Sequence, residues 1–280
     1  MLEARIITAV FLLAGLLGAL FFLPDAGWIV LCASICALAA WEWGGLAGWS
    51  GKAKVVYALV LGGACFVLAS RFSDGWPFAA SATGVVEGLD GLAVAFWLLL
   101  VPFWLKRGWP LRRWSAALVG GIVLLPPMLV FIGLRHFHPL AVLAAAAPVW
   151  VADIAAYFSG RAFGRARLAP TISPGKTWAG AIGAAIGVTA YCAAVFVAMR
   201  DDIPLSASIA VPAVLGLSIG LTALSIVGDL FESLLKRRAG VKDSSHLLPG
   251  HGGILDRIDS LTSTLPVWPV LLSLLAFFSR

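Results

Sequence analysis

Asp229 interrupts a long apolar run, and Ser225, Glu232, Ser233 and Lys236 flank it at three- and four-residue steps. Such steps place all five on one face of a helix. A carboxylate inside a membrane helix costs several kcal/mol unless it is paired, hydrated or metal-bound, so it points to function. The plain alternative is a Glu232–Lys236 ion pair with Asp229 hydrated at the interface. A second acidic group follows in "GHGGILDRIDS", Gly250 to Ser260, which holds Asp256, Arg257 and Asp259. Paired glycines such as Gly252 and Gly253 let backbone N–H groups approach an anion. Asp259 can equally cap a helix N-terminus. A third acid, Asp153, forms a stripe with Trp150 and Tyr157 that is expected to face the bundle interior, and a buried interhelical hydrogen bond is its structural alternative.

Basic residues accompany these acids. In "ISPGKTWAG" the Gly175-Lys176-Thr177 triplet suggests a phosphate loop, but Pro170 stands where that motif needs glycine and no strand is predicted before it. Lys176 is then a phosphate ligand or a marker of membrane orientation. His251 suits phosphate hydrogen bonding, while His246 has no assigned role. Acids from separate helices, cations around them and glycine-rich backbone fit one task. They hold a divalent metal and the phosphates of a nucleotide: carboxylates take magnesium, Lys and Arg neutralise phosphate oxygens, and glycine opens access to N–H groups.

These side chains must be positioned by a very apolar chain. Of 280 residues, 61% are hydrophobic and 12% charged, where a soluble domain runs about a quarter charged. A membrane helix needs about 20 mostly apolar residues. Nine such runs are predicted, at 5–23, 26–47, 54–70, 89–105, 114–134, 140–159, 177–198, 209–235 and 259–279. The first is too long for a comfortable signal peptide and reads as a retained anchor. The fold class is therefore all-α, a polytopic membrane helical bundle of about nine spans. Residues 1–135 (spans 1–5) read as an N-terminal transmembrane region, and 136–280 (spans 6–9) as a catalytic region with cytoplasmic loops. No internal repeat of the inverted-repeat transporter kind is visible.

With nine spans, 16 of the 20 Lys and Arg residues fall on the side that holds the N-terminus. Cytoplasmic loops carry this excess, so the N-terminus is predicted inside, with the polar clusters on the cytoplasmic face. The net charge of +6 follows from topology and anionic headgroups, without a nucleic-acid partner. Trp28, Trp41, Trp43, Trp49, Trp76, Trp104, Trp109 and Trp114 lie near span ends and read as an aromatic belt. Gly84–Gly91 reads as a surface loop. Cys32, Cys36, Cys65 and Cys192 lie within spans and read as small packing residues rather than a disulfide framework.

The segment "GDLFESLLKRRAGVKDSSHLLPGHGGILDRIDS" (Gly228 to Ser260) resembles the signature of the phosphatidate cytidylyltransferases, or CDP-diacylglycerol synthases. The resemblance rests on Ser233, Lys236, Arg237, Lys242 and Asp243, then Pro249, His251, Gly252 and Gly253, then Asp256, Arg257 and Asp259. The upstream "WVADIAAYFSGRAFGRARLAPTISPGKTWAG" (Trp150 to Gly180) is similar to that family's other polar segment. It departs at Gly175 and Ala179, where the family usually has a basic residue and Glu. The resemblance implies a magnesium-dependent integral membrane enzyme that joins CTP to phosphatidic acid, giving CDP-diacylglycerol and pyrophosphate. It also implies a homodimer, here in a bacterial inner membrane with its active site on the cytoplasmic side.

Transferred to these residues, Asp229 and Asp256 are metal ligands, around magnesium alone or with a second cation. Asp259 and Lys236 join them in catalysis. Lys176, Arg237, Lys242, His251, Gly252, Gly253 and Arg257 bind substrate phosphates. Asp153, Ser225 and Glu232 orient the metal ligands. Two other classes share features of this pattern. A CTP-dependent lipid kinase would transfer the γ-phosphoryl group instead. A transporter would place its acids near the bilayer midplane, whereas here they gather at the cytoplasmic edge.

Overall fold

In hydrocarbon every backbone polar group must be satisfied internally, which makes helices of long apolar runs. The computed structural model describes residues 2–71, 84–200 and 207–278. In chain order the helices are α1 (Leu2–Phe22), α2 (Asp25–Leu46), α3 (Gly51–Ala69) and α4 (Gly84–Ala95). A π turn at Phe96–Leu100 carries α4 into α5 (Val101–Arg107). Then come α6 (Arg113–Phe137), α7 (Pro139–Phe163), strands β1 (Arg167–Ala169) and β2 (Ser173–Thr177), α8 (Trp178–Ala198) and α9 (Ala207–Arg238). The last two are α10 (Leu255–Thr264) and α11 (Val267–Phe278).

Among the described residues, seven helices are long and apolar enough to cross a membrane, and the chain is a polytopic helical bundle. The apolar part of α1, Val10–Phe22, is shorter. The predicted ninth run is divided into α10 and α11. Pro266 lies at the break, and proline cannot donate the backbone bond that continues a helix. Two other expectations need correction. Gly84–Gly91 is no loop but the start of α4, where Val86 and Asp90 are buried. A two-stranded antiparallel hairpin, β1–β2, precedes α8 where no strand was foreseen; strands of three and five residues are too short to leave a period in the sequence.

Side chains such as Leu59 and Phe103 are 69% and 60% exposed, as lipid-facing residues should be. Inside, α2 and α3 pack closely where Gly62 meets Ala33 and Ala37, and the described cysteines are all free and buried. The Trp43 indole N–H donates to the Ala116 carbonyl (2.9 Å) and Tyr57 O–H to that of Ala117 (2.8 Å), locking α2 and α3 onto α6. Phe231 of α9 is fully buried beneath Phe96, Trp97 and Trp104, with ring centroids 6.0, 5.5 and 5.4 Å away. Edge-to-face packing of this kind contributes about 0.5–1.5 kcal/mol per pair beyond burial. It fixes the rotation of the helix that carries Asp229. Trp28, Trp43 and Trp104 therefore belong to the core and not to an interfacial belt; Trp109 and Trp114 are exposed, and Trp76 lies outside the described residues.

Candidate active site

Helix α9 is the spine of the site. Its crossing with α10 is built from hydroxyls: Ser260 Oγ donates to the Ser225 carbonyl (3.0 Å) and Ser263 Oγ to that of Leu224 (2.8 Å). Small polar residues allow this close approach and satisfy themselves on the neighbouring backbone. On the other side α8 packs against α7 with Gly183 facing Ser159; a Cβ there would lie 2.0 Å from Ser159 Oγ. Thr177 ends β2 and caps α8 by accepting from Gly180 N–H (3.1 Å). The hairpin is thereby tied to the helix start, and Lys176 is aimed at α9.

The result is a cleft of about 410 Å³ between α7, α8, α9 and the hairpin, lined by Asp153, Tyr157, Arg161, Arg167, Lys176 and Asp229. Lys176 Nζ lies 2.5 Å from Asp229 Oδ2, and Ser233 Oγ donates to Asp229 Oδ1 (3.1 Å). Asp153 and Asp259 both lie within electrostatic reach of Asp229 and Lys176. Asp229 thus has acids of two other helices within electrostatic reach and one close ammonium. The stripe of Trp150, Asp153 and Tyr157 does not face a packed interior: Trp150 and Tyr157 are 39% and 59% exposed, and Asp153 opens onto the cleft.

A second, buried polar network adjoins this cleft. Lys236 Nζ donates to Glu232 Oε2 (2.7 Å) and to Asp256 Oδ1 (2.6 Å). Asp256 Oδ2 accepts from Ser244 N–H (2.8 Å) and Gly253 N–H (2.7 Å), and lies 2.9 Å from Ser244 Oγ. Burial would raise the Asp256 carboxyl, but the bonds from Lys236, Gly253 and Ser244 outweigh it and hold it below the ordinary carboxylate range. Gly253 N–H is therefore spent on Asp256 inside the loop. A Cβ at Gly253 would sit 2.1 Å from Ser244 Oγ, so only glycine closes this turn.

Asp229 and Asp256, expected as a pair, thus meet different partners. Asp229 opens on the cleft, while Asp256 is only 4% exposed and spends both oxygens on protein donors. Among the described residues no group of three or more His, Cys, Asp or Glu side chains is set to hold a metal. Magnesium usually takes one or two carboxylates plus substrate phosphates rather than a full protein cage. Asp229, with Asp153 beside it and a cation already drawn to it, fits that donor set. Glu232 Oε1 and His251 Nδ1 are buried without a hydrogen-bond partner. Arg237, Lys242 and Arg257 are exposed around the α9–α10 loop.

Glu42 reads from the sequence as an acid near a helix end that snorkels or caps rather than reacts, with no sign of which element it caps. It lies on α2 and is 1% exposed. Its Oε1 accepts from Ser245 Oγ (2.6 Å) and Ile254 N–H (2.9 Å), and its Oε2 accepts from Leu255 N–H (2.8 Å) and lies 3.0 Å from Ser244 Oγ. One carboxylate from the N-terminal half thus caps α10 and ties the middle of the α9–α10 loop to its end. Its only sequence signal is an acid in an apolar run.

Comparison with known proteins bears on this geometry. The model of the Cytidylyltransferase family matches residues 3–275. A phosphatidate cytidylyltransferase of Pseudomonas aeruginosa is 39% identical over 97% of this chain and 97% of its own. One of Haemophilus influenzae is 35% identical over 95% of this chain and 96% of its own. One of Thermotoga maritima is 41% identical over 48% of this chain and 49% of its own.

Proposed function

The chain belongs to the Cytidylyltransferase family, and we propose that it transfers the cytidylyl group of CTP to phosphatidic acid, releasing pyrophosphate and leaving CDP-diacylglycerol in the membrane. The observation that carries this reading is the contact of Lys176 with Asp229 in a polar cleft cut into a membrane bundle. It joins a cation for phosphate oxygens to an acid for a metal, at a surface where lipid and nucleotide can meet.

In the reaction a phosphate oxygen of the lipid attacks the α-phosphorus of CTP. The bond from that phosphorus to the bridging oxygen breaks, and pyrophosphate departs in line. The nucleophile is already anionic, so no strong general base is required. The chain's task is to bring two polyanions together. Lys176 leaves Asp229 for a phosphate oxygen, Arg161 and Arg167 line the approach, and Tyr157, which accepts from Arg161 Nη1 (3.1 Å), holds that guanidinium. Magnesium is part of the proposal: Asp229 would hold it, with Asp153 and Asp259 beside it, and it would supply charge neutralisation between the two phosphates. Asp256, Glu232 and Lys236 order the loop that carries His251 and Lys242 toward substrate.

The protein is a multi-pass membrane protein. Its placement in a bacterial inner membrane, with the site on the cytoplasmic face, is supported by bacterial relatives and by the basic-residue bias. A homodimer belongs to the same reading and is supported by family resemblance alone. The test is direct: purified protein given CTP, phosphatidic acid and magnesium should form CDP-diacylglycerol and pyrophosphate in equal amounts. Release of CDP in place of pyrophosphate would refute the reading.

A further inference from the structure

A groove of about 990 Å³ runs between α1, α2, α6, α7 and α10. It lies at the upper end of the roughly 300–1,000 Å³ that small-molecule sites span. Its wall is apolar except at one point, where Arg257 is the one charged residue among the described lining residues. We propose that this groove binds the acyl chains of the phosphatidic acid substrate, with Arg257 at its polar end drawing the lipid phosphate toward the catalytic cleft. It rests on the cytidylyl transfer proposed for the chain and adds where the lipid sits.

Three observations select this occupant. First, groove and cleft share a wall. On α7, Trp150 lines the groove and Asp153, one turn on, lines the cleft; on α10, Leu261 lines the groove and its neighbour Ser260 the cleft. Second, Arg257 of the groove lies within electrostatic reach of Asp153, which lines the cleft. An apolar trough with one cation beside a phosphate-handling cleft complements a lipid whose headgroup is a bare phosphate monoester. A zwitterionic lipid would bring a second, positive charge to the same arginine. Third, the length fits one leaflet. Phe11 and Phe22 both line the groove, and a rise of 1.5 Å per residue separates them by about 17 Å. Half of a hydrocarbon core is about 15 Å.

The groove also has a built-in means of blocking it. Gly15 and Gly18 of α1 line it, and a Cβ added at either meets nothing within 4 Å. Gly15→Phe and Gly18→Phe therefore attach a ring on the wall of the trough at positions where the Cβ itself meets no neighbour. Replacing glycine inside a helix is also favourable to the helix itself.

The test uses the full chain in detergent micelles, with dioleoyl and dihexanoyl phosphatidic acid compared at saturating CTP. In each variant kcat/KM for the dioleoyl lipid should fall at least about tenfold, as misfit in an apolar pocket does. The dihexanoyl lipid and the KM for CTP should stay within about twofold of wild type, below the discrimination of even one methylene. Equal loss on both lipids, or no loss on either, would overturn the groove assignment while leaving cytidylyl transfer standing. Wild type that transfers to neither lipid would overturn both. A phosphatidic acid with a mid-chain diazirine gives an independent reading in the unaltered protein. It should cross-link to α1 or α10 and be displaced by unlabelled phosphatidic acid. Equal displacement by phosphatidylcholine would mark an ordinary bilayer contact and overturn the proposal.

Discussion

Lys176 and Asp229 meet at 2.5 Å across the cleft, one from a short strand and the other from the long helix α9. The pair holds the site together without substrate and gives each partner something to do when CTP arrives. In the proposed reaction Lys176 would turn to phosphate, and the freed carboxylate would be open to a cation.

Asp229→Asn should therefore abolish transfer while the protein still inserts and folds. The amide keeps the shape and loses the charge. Ligand-shell changes elsewhere cost about 10–100-fold, so loss of a direct ligand should cost on the order of a hundredfold or more. Lys176→Met should instead act chiefly through the KM for CTP. Initial rates over a CTP series at saturating magnesium separate the two, and an Asp229→Asn enzyme above about a tenth of wild type would refute the assignment.

Glu42 should matter although it touches no substrate. Glu42→Ala strands the N–H groups of Ile254 and Leu255, each costing about 1–3 kcal/mol when buried and unpaired. Hydrogen exchange at these amides should accelerate by one or more orders of magnitude, and kcat should fall with them. Glu42→Gln keeps one acceptor oxygen and should restore part of both. Unchanged exchange in Glu42→Ala would contradict the positioning role.

Asp256 makes a pH prediction. Its folded pKa lies below the ordinary value, so it stabilises the fold fully above that ordinary value, about 3.9. This contribution disappears only as the pH falls through the lower, folded value. The difference in thermal midpoint between wild type and Asp256→Asn should stay level from pH 8 to pH 5 and narrow only below about pH 4. A difference that already shrinks between pH 7 and pH 5 would mean that burial wins and the carboxyl titrates high.

Orientation follows from the basic residues. With the native cysteines replaced, Lys52→Cys should be shielded from an impermeant thiol reagent in intact cells and Ser70→Cys labelled. The reverse pattern would invert the bundle.

Much of this site could be read from the chain because helical spacing is local. Ser225, Asp229, Glu232 and Lys236 share α9 at steps that force them together, and the Glu232–Lys236 pair forms as its spacing suggests. What escaped depends on contacts distant in sequence. Nothing near Glu42 shows that it caps α10, because its partners lie more than 200 residues away. The bond from Lys236 to Asp256 was equally illegible, because it exists only once α10 folds back on α9. The β1–β2 hairpin that aims Lys176 is too short for any periodicity. The tryptophans misled because burial of Trp43 and Trp104 is set by packing around Phe231, which position near a span end does not reveal.

The central claim is attack on the α-phosphorus of CTP, and position-specific label tests it most directly. CTP carrying radioactive phosphorus at the α position, and separately at the γ position, is supplied with unlabelled phosphatidic acid to the purified chain. The account predicts α label in the lipid and γ label in pyrophosphate, with added pyrophosphate driving the α label back out. Lipid that carries γ label without α label would contradict it and establish phosphoryl transfer instead.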